Sequence, residues 1–478
     1  MSDAQNDQPA VGASDAQKDL RAAWDDLLAE LGRARDAIDQ PELMPAPASD
    51  RNLAEGYRYL MGFVHSGIER AFHGDPHFPH FRNALQILNK ATIDNADAIY
   101  FMAPIDGRQR YLVRGRVGDA RHWRGEAPPA SGRLAPKYLI FELTDGPIAG
   151  DTGSLAELRP GLKCQTGRID SSALEVEPDG SFEILLAPER PAGHTGNFVS
   201  THRRVSKPPP DDPEGSLDRY AEWVSGRQLF YDWDREDAAL LTLERLGAEG
   251  EHPPPYTPAA AATQLREMGA LVKGQMHFWN QFYTVLLEVY GKRPGGHPGA
   301  RPGERFMPRN KFNEVNAASG DTGGGQSTNL YAGGVFELGP DEALIVESRV
   351  KREPEYIGFH LGNLWGESLD YANHTSSLNG FQAERDADGA IRYVVAHRDP
   401  GVPNWIDTTG HAEGFLTPRW TYSETPPREQ WPSIEARLVP FAEIRAQLPE
   451  ATRRVAPEER ARAIRVRQQH VQRRYRVF

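Results

Sequence analysis

Cysteine is almost absent: Cys164 stands alone, so no intrachain disulfide and no thiolate metal cluster can form. No run of side chains approaches the ~18 consecutive apolar residues that crossing a bilayer requires. The opening residues, "MSDAQNDQPAVGASDAQKD", lack a basic start, an apolar middle and a small-residue cleavage site, so the expectation is a soluble, cytoplasmic protein with no membrane partner. No G-x-S-x-G elbow is present, which leaves the common serine-hydrolase arrangement unsupported. No G-x-G-x-x-G occurs, and the glycine-rich "SGDTGGGQSTN" at 319–329 lacks the Gly-Lys-Ser/Thr ending that would cradle phosphates. It reads as a surface loop, with a lid over a pocket as a further guess. No cofactor is therefore expected.

What remains is a polar globular chain of 478 residues, with 39% hydrophobic and 26% charged side chains, long enough for two or three domains. A formal net charge of −12 argues against nucleic acid as a partner of the whole body. The C-terminal stretch runs the other way: from Arg453 to Phe478 nine arginines face two glutamates. Pro457-Glu458-Glu459 is good chemistry for a helix N-terminus, so this stretch is expected to dock on the acidic body as a basic helix, with Phe478 as an anchor.

The periodicity divides the chain. Residues 1–14 read as disordered. Residues 15–110 read as a helical portion, with Leu20, Trp24, Leu27, Leu28 and Leu31 at helical spacing behind a cap at Ser14 or Asp15. Leu53, Tyr57, Leu60, Val64 and Ile68 repeat the pattern beyond "APASD" at 46–50. From Tyr111 the period becomes alternating. "RYLVRGRV", "KYLIFEL", "SALEVE", "FEILLA", "ALIVESRV", "EYIGFHLGNLW" and "IRYVVA" are strand-length runs bounded by Gly, Pro and Asp. They predict a mainly β protein with helical additions: a first β-sandwich at 111–245, a second at 311–440, and a basic helix at 441–478. Between the sandwiches, at 246–310, one long helix carries Leu265, Met268, Val272, Trp279, Phe282, Leu286 and Val289 up to Gly291, and a Pro/Gly linker follows at 291–303.

Two segments repeat. "SSALEVEPDGSFEILLAPERPAGHTGNFV" (171–199) and "SSLNGFQAERDADGAIRYVVAHRDPGVPNWI" (376–406) both run Ser-Ser, strand, Asp-Gly, strand, proline-rich loop, then Asn and an aromatic. Asp179-Gly180 and Asp388-Gly389 predict tight hairpins with positive φ at the central positions. "YLIFEL" and "ALIVES" sit upstream of the two copies, which predicts two sandwiches of similar build. Asn197-Phe198 and Asn404-Trp405, present in both, fit loops pinned by an asparagine with a ring buried beside it.

Asp407 and His411 have no counterpart in the first copy. Asp407 could orient one imidazole nitrogen of His411 and leave the other free as a general acid or base, with Trp405 as an apolar wall and Arg419 as an oxyanion or carboxylate partner. The bland alternative is an Asx-turn at Asp407 with His411 bonded into a loop. "GFHLGNLWGESLDYANHTSSLN" adds His360, Asn363, Trp365, Asp370, Asn373 and His374. Alternation sets His360 opposite Asn363 and Trp365, so that pair, with Asp370, Asn404 and Trp405, is the expected ligand wall. Three histidines in "HGDPHFPHF", His73, His77 and His80, suggest a metal by composition. Pro76 and Pro79 break the helix that would align them, so no metal site is expected.

The phrases "GPDEALIVES", "NLWGESLDY", "SSLNGFQ" and "DGAIRYVVAHRDPGVPNWIDTTGHAEGFLTPRW", across about 330–425, carry a resemblance. The chain resembles bacterial proteins with the domain of unknown function 1214. "DNADAIYFMAPIDGRQRYLVRGRVGD" and "RQLFYDWDREDAALLTLER" look like the N-terminal half of longer members. The resemblance implies a jelly-roll sandwich at the C-terminus and brings no settled activity. The functional expectation is an enzyme using non-metal acid–base chemistry, of hydrolase, lyase or isomerase type, on a small, largely apolar organic molecule. The alternative is a non-catalytic binding or carrier protein.

Overall fold

The computed structural model describes residues 14–39, 49–146, 148–159, 161–206, 216–289, 307–317 and 328–475. The 291–303 linker, Phe478 and nearly all of the 319–329 loop lie outside them. Helices α1 (Asp15–Asp36), α2 (Asp50–His73) and α3 (Pro258–Thr284) start at hydroxyl caps: Ser14, Ser49 and Thr257 each accept a backbone N–H three residues on. Helix α3 opens with proline and passes into a π turn at Val285–Val289. The three helices pack together through Leu27 and Ala34, Tyr59 and Phe63, and Met268, Val272, Met276 and Trp279. Small residues set the approach. A Cβ on Gly67 would sit 2.9 Å from Val272, so the α2–α3 crossing needs glycine there.

The apolar stripes expected on α1 and α2 are partly rotated toward solvent. Trp24, Leu28, Leu53, Tyr57 and Ile68 are exposed, and the face of α2 that meets the core is Gly56, Tyr59, Phe63 and Gly67. Close helix packing selects small side chains, to which a count of large apolar residues is blind.

Eleven strands build the first β region: β1 (Arg82–Leu85), β2 (Ala98–Pro104), β3 (Tyr111–Arg116), β4 (Tyr138–Thr144), β5 (Gln165–Asp170), β6 (Ser181–Ala187), β7 (Asn197–Ser200), β8 (His202–Ser206), β9 (Ser216–Tyr220), β10 (Trp223–Leu229) and β11 (Leu240–Arg245). One sheet runs β1-β2-β10-β4-β5 and the other β11-β3-β6-β7, while β8 and β9 form a separate ribbon. Phe101, Phe141 and Phe182 meet in the core between the sheets. Strands β1 and β2 fall inside the stretch expected to be helical. "AIYFMAP" is buried on both faces and shows no alternation, so its period alone cannot reveal a strand. "SALEVE" forms no strand: Ser172 and Ala173 lie in a turn, and residues 174–177 carry no regular structure.

The second β region comprises β12 (Asn329–Tyr331), β13 (Gly334–Glu337), β14 (Glu342–Arg349), β15 (Tyr356–Gly362), β16 (Ser377–Asn379), β17 (Ile391–Ala396), β18 (Trp405–Asp407), β19 (Glu413–Thr421) and β20 (Ser433–Pro440). Its sheets run β12-β19-β15-β16, with β13 also on β19, and β18-β17-β14-β20. The build is that of the first region. β6 and β7 pair in parallel, as do β17 and β18; β3 corresponds to β14 and β4 to β15. "ALIVES" therefore matches "YLVRGR", and "YLIFEL" matches "YIGFHLG", a correction to the alignment read from sequence. Each hairpin closes through the same two bonds, Glu177 with Gly180 and Ser181, and Asp386 with Gly389 and Ala390. Only the glycine of each Asp-Gly pair has positive φ, +85° and +80°. These are three-residue loops ending in a left-handed glycine, not two-residue turns.

After the short helix α4 (Ile444–Gln447), helix α5 (Pro457–Tyr475) lies across both β regions. Val471 packs with Phe230, Trp233 and Tyr371, and Arg474 donates to the Ala96 carbonyl at 2.7 Å. The basic segment is docked, as its sequence suggested. Among the described residues no helix is long and apolar enough to cross a membrane.

Candidate ligand cavity

Asp407 does not orient His411. Its Oδ2 lies 2.8 Å from Nδ1 of His374, and its Oδ1 accepts the Thr409 N–H at 2.8 Å. Thr409 has φ +51° and Gly410 φ +80°, so the loop turns away and carries His411 to the opposite side. There Nε2 of His411 donates to Glu55 on α2 at 2.8 Å, and the Thr409 hydroxyl lies 2.9 Å from Nδ1. The Asx-turn reading describes Asp407, and a buried interlayer contact describes His411.

The expected ligand wall also belongs to this contact. Asn363 donates to Glu55 at 3.1 Å and Glu367 at 2.7 Å, and Glu367 in turn takes Arg58 at 2.6 Å. The Trp365 indole is buried and donates to the Asn52 carbonyl at 2.8 Å. Burial alone would raise the Glu55 carboxyl, but the His411 hydrogen bond and charge, with Arg58 and Arg51, hold it below the ordinary range. The group ties α2 to the second sandwich. Strand β15 is buried on both faces and ends before Asn363, so the alternation argument separating His360 from Asn363 does not apply. Asp370 caps a turn by accepting the Ala372 and Asn373 N–H groups. Asn404 pins a loop, and Trp405 is half-buried, bonded to the Ala396 carbonyl under Arg460 of α5. Of the eight expected site residues, only Arg419 lines either of the two cavities described next.

Those cavities lie where the helices meet the outer faces of both β regions. The first, about 210 Å³, is bounded by Phe63 and Arg70 of α2, Arg82 of β1, Glu142 of β4, Trp223 and Arg227 of β10, and Trp279 of α3. The second, about 150 Å³, lies between Trp279 and Phe282 of α3, Tyr331 of β12 and Arg419 of β19. Thr92, Tyr100, Ala149, Arg227 and Trp279 line both, so the two form adjoining chambers. Strand alternation places these side chains. Phe101, Phe141 and Val224 point into the sandwich core, whereas Tyr100, Glu142 and Arg227 point out toward the helices.

The chambers are aromatic and cationic. Arg70, Arg82, Lys90, Lys163 and Arg227 line the first, against Glu142 as its only carboxylate among the described residues. Burial works against the Arg227 charge, and Glu142, 3.1 Å away, more than restores it. Burial, followed by the nearby Arg70 charge, brings Arg82 down to about 10. Burial lowers Lys163 as well, and it raises the Tyr100 hydroxyl against the pull of Arg419 and Arg227. Arg70 is paired with Asp151 at 2.7 Å, Arg82 with Glu69 at 3.5 Å and Arg227 with Glu142, so much of this charge is balanced within the wall. Among the described residues no three His, Cys, Asp or Glu side chains converge as a metal site. Burial also raises the Cys164 thiol, which keeps it unreactive.

The partition between the chambers is strained. Thr92 and Ile93, both β-branched, stand at φ +63° and +55°, a region such residues almost never adopt. Ile93 is held by its N–H on the Gly366 carbonyl and by Arg419 on its own carbonyl, each at 2.9 Å. Strain of this kind persists only where the surroundings enforce it, and it concentrates at ligand clamps.

The fold and cavity define a two-sandwich protein with two adjoining, partly open chambers between the helices and the sheets. The chain is similar to an uncharacterised protein from Burkholderia cenocepacia, whose crystal structure superposes with a TM-score of 0.68 and 27% identity, covering 90% of this chain and 100% of that one. The VPA0106 protein from Vibrio parahaemolyticus aligns over 85% of this chain and 100% of its own at 11% identity and a TM-score of 0.37, too weak to carry an argument. No protein-family model and no curated protein matches the chain.

Proposed function

We propose that this chain binds a small, largely apolar organic molecule in the paired chambers, as a binding or carrier protein. The observation that carries the reading is the strained Thr92–Ile93 segment, held in place between two aromatic-lined cavities. A 150 Å³ apolar cavity has room for a benzene-sized ring, which sets the scale of the ligand. The acid–base reading built on Asp407 and His411 loses its motivating pair, because the two residues serve different partners on different sides of their loop.

A cytoplasmic address and kinship with proteins of the domain of unknown function 1214 belong to the same proposal. Their support is the single cysteine, as expected where disulfides are not used, and the Asn404–His411 phrase. Ala149→Trp tests the cavity by filling both chambers. Neutral aromatic alcohols such as 3-phenylpropan-1-ol are expected to raise the thermal midpoint of the parent and to leave that of a folded A149W unchanged. A parent indifferent to all of them would overturn the reading.

A further inference from the structure

We propose that the ligand is a small monocarboxylic acid whose carboxylate seats on Arg419 in the second chamber; this rests on the cavity reading above. Arg419 is 7% exposed. One terminal nitrogen donates to the Ile93 carbonyl at 2.9 Å and lies 3.2 Å from Nε2 of His360. Its Nε is buried without a hydrogen-bond partner. No carboxylate among the described residues stands within ion-pair distance of it. Asp94, whose charge Arg419 feels without forming an ion pair, accepts the Ser368 N–H and hydroxyl, both at 2.7 Å.

The second chamber has no acid among its described lining; Arg227 is paired from the adjoining chamber by Glu142 at 3.1 Å, which leaves Arg419 as the guanidinium without an anion. This occurs in a chain with 67 Asp and Glu against 55 Lys and Arg, where a compensating carboxylate would be easy to supply from within. A buried guanidinium without an internal anion is disfavoured unless another anion completes it. The planar fork of arginine matches the planar carboxylate, which can take two parallel N–H bonds.

The rest of the lining selects the body of the acid. Trp279, Phe282, Leu158 and Met307 present apolar surface next to Arg419, which suits an aromatic or short alkyl group. Among the described residues no run of glycine backbone N–H groups lines the chamber, and Arg419 and Arg227 are its cationic donors. Tyr331, whose ring lies 5.7 Å from the Arg419 guanidinium, closes the side of the seat.

Isothermal titration of the full chain at pH 7 with 3-phenylpropanoate and with its neutral analogue 3-phenylpropan-1-ol tests the assignment. The acid is expected to bind about ten-fold or more tighter than the alcohol, the scale of a charge-assisted pair. Arg419→Gln is expected to remove that preference and leave alcohol binding in place, while Arg428→Gln on the surface alters neither. Equal affinities in the parent would overturn the carboxylate and spare the cavity. Failure of both molecules to bind would overturn both readings. A folded R419Q that still prefers the acid would overturn the seat at Arg419. The acid–alcohol comparison on the unaltered chain decides the question even where R419Q does not fold.

Discussion

Asn404 holds φ +56° and makes three bonds to backbone: its oxygen takes the Glu384 N–H at 2.8 Å, and its amide donates to Glu384 and Arg392 carbonyls. Asn197 makes the matching three with Glu175 and Glu183. Only a short side chain with a donor and an acceptor can do this, which is why the repeated asparagine was legible from sequence; the ring that follows it is half-buried rather than buried. Asn404→Ala is expected to lower the unfolding free energy by about 2–3 kcal/mol, since it strands buried backbone groups and leaves a left-handed conformation unsupported. Urea denaturation measures it, and a loss below about 0.5 kcal/mol would remove the pin. His411→Ala should lose about 3 kcal/mol by breaking the buried His411–Glu55 pair, the shortest of the Glu55 contacts. Asp407→Ala should lose only about 1 kcal/mol, because its partner His374 is exposed on one side. The reverse order would contradict the assignments made here. The Glu55 carboxyl sits lower in the folded chain than in the unfolded one, so its contribution is present above the ordinary carboxylate range and fades as pH falls through it. Glu55→Gln should flatten that acid limb.

At the scale of elements, α5 makes the clearest prediction. His470 is buried and stacks on Trp233 at 5.1 Å, with neither ring nitrogen hydrogen-bonded. Burial, then Arg474 and Arg473, hold its imidazole neutral far below the ordinary range. The unfolded chain takes up a proton that the folded one refuses, so stability is full above about pH 6.5 and declines below it, by on the order of 1.4 kcal/mol per pH unit for each such histidine. His360, depressed by burial and then by Arg419, adds to the same slope. Denaturation at pH 7, 6 and 5 should show the decline, and His470→Phe should reduce it; a flat profile would refute the assignment. The helix itself was legible, because its first turn carries Pro457 and two glutamates and its charge opposes that of the body. The faces of α1 and α2 were legible in part: Leu27 and Leu60 of the expected stripes are buried, but Ala23, Ala34, Gly56 and Gly67 share the core face with them.

The chambers draw on residues from 62 to 419, and no local pattern announces them. Arg227 in "RQLFYDW" looks like a solvated strand position until the helices cover that face of the sheet. Of the expected site residues Arg419 alone lines the chambers; the sequence offers it as an oxyanion or carboxylate partner beside Asp407 and His411, a pair whose own contacts lie elsewhere. Trp365 and Phe415 of the second sandwich share one apolar cluster with Leu27, Tyr59 and Met276 of the helices. The chain is therefore expected to unfold in a single cooperative transition, with a fragment of residues 307–452 showing little hydrogen-exchange protection around Trp365. Two separated transitions would contradict that coupling.

Two sandwiches of one strand order in one chain also present each other with interchangeable edges. During refolding, the strand pair Asn197–Ser200 on Ser181–Ala187 has a geometric rival in Trp405–Asp407 on Ile391–Ala396, and mispairing between like repeats is a characteristic trap of such chains. "SFEILLA" and "IRYVVA" have diverged in side-chain shape while keeping their register. With the register shared, side-chain shape is what distinguishes the native partner of each strand from its rival.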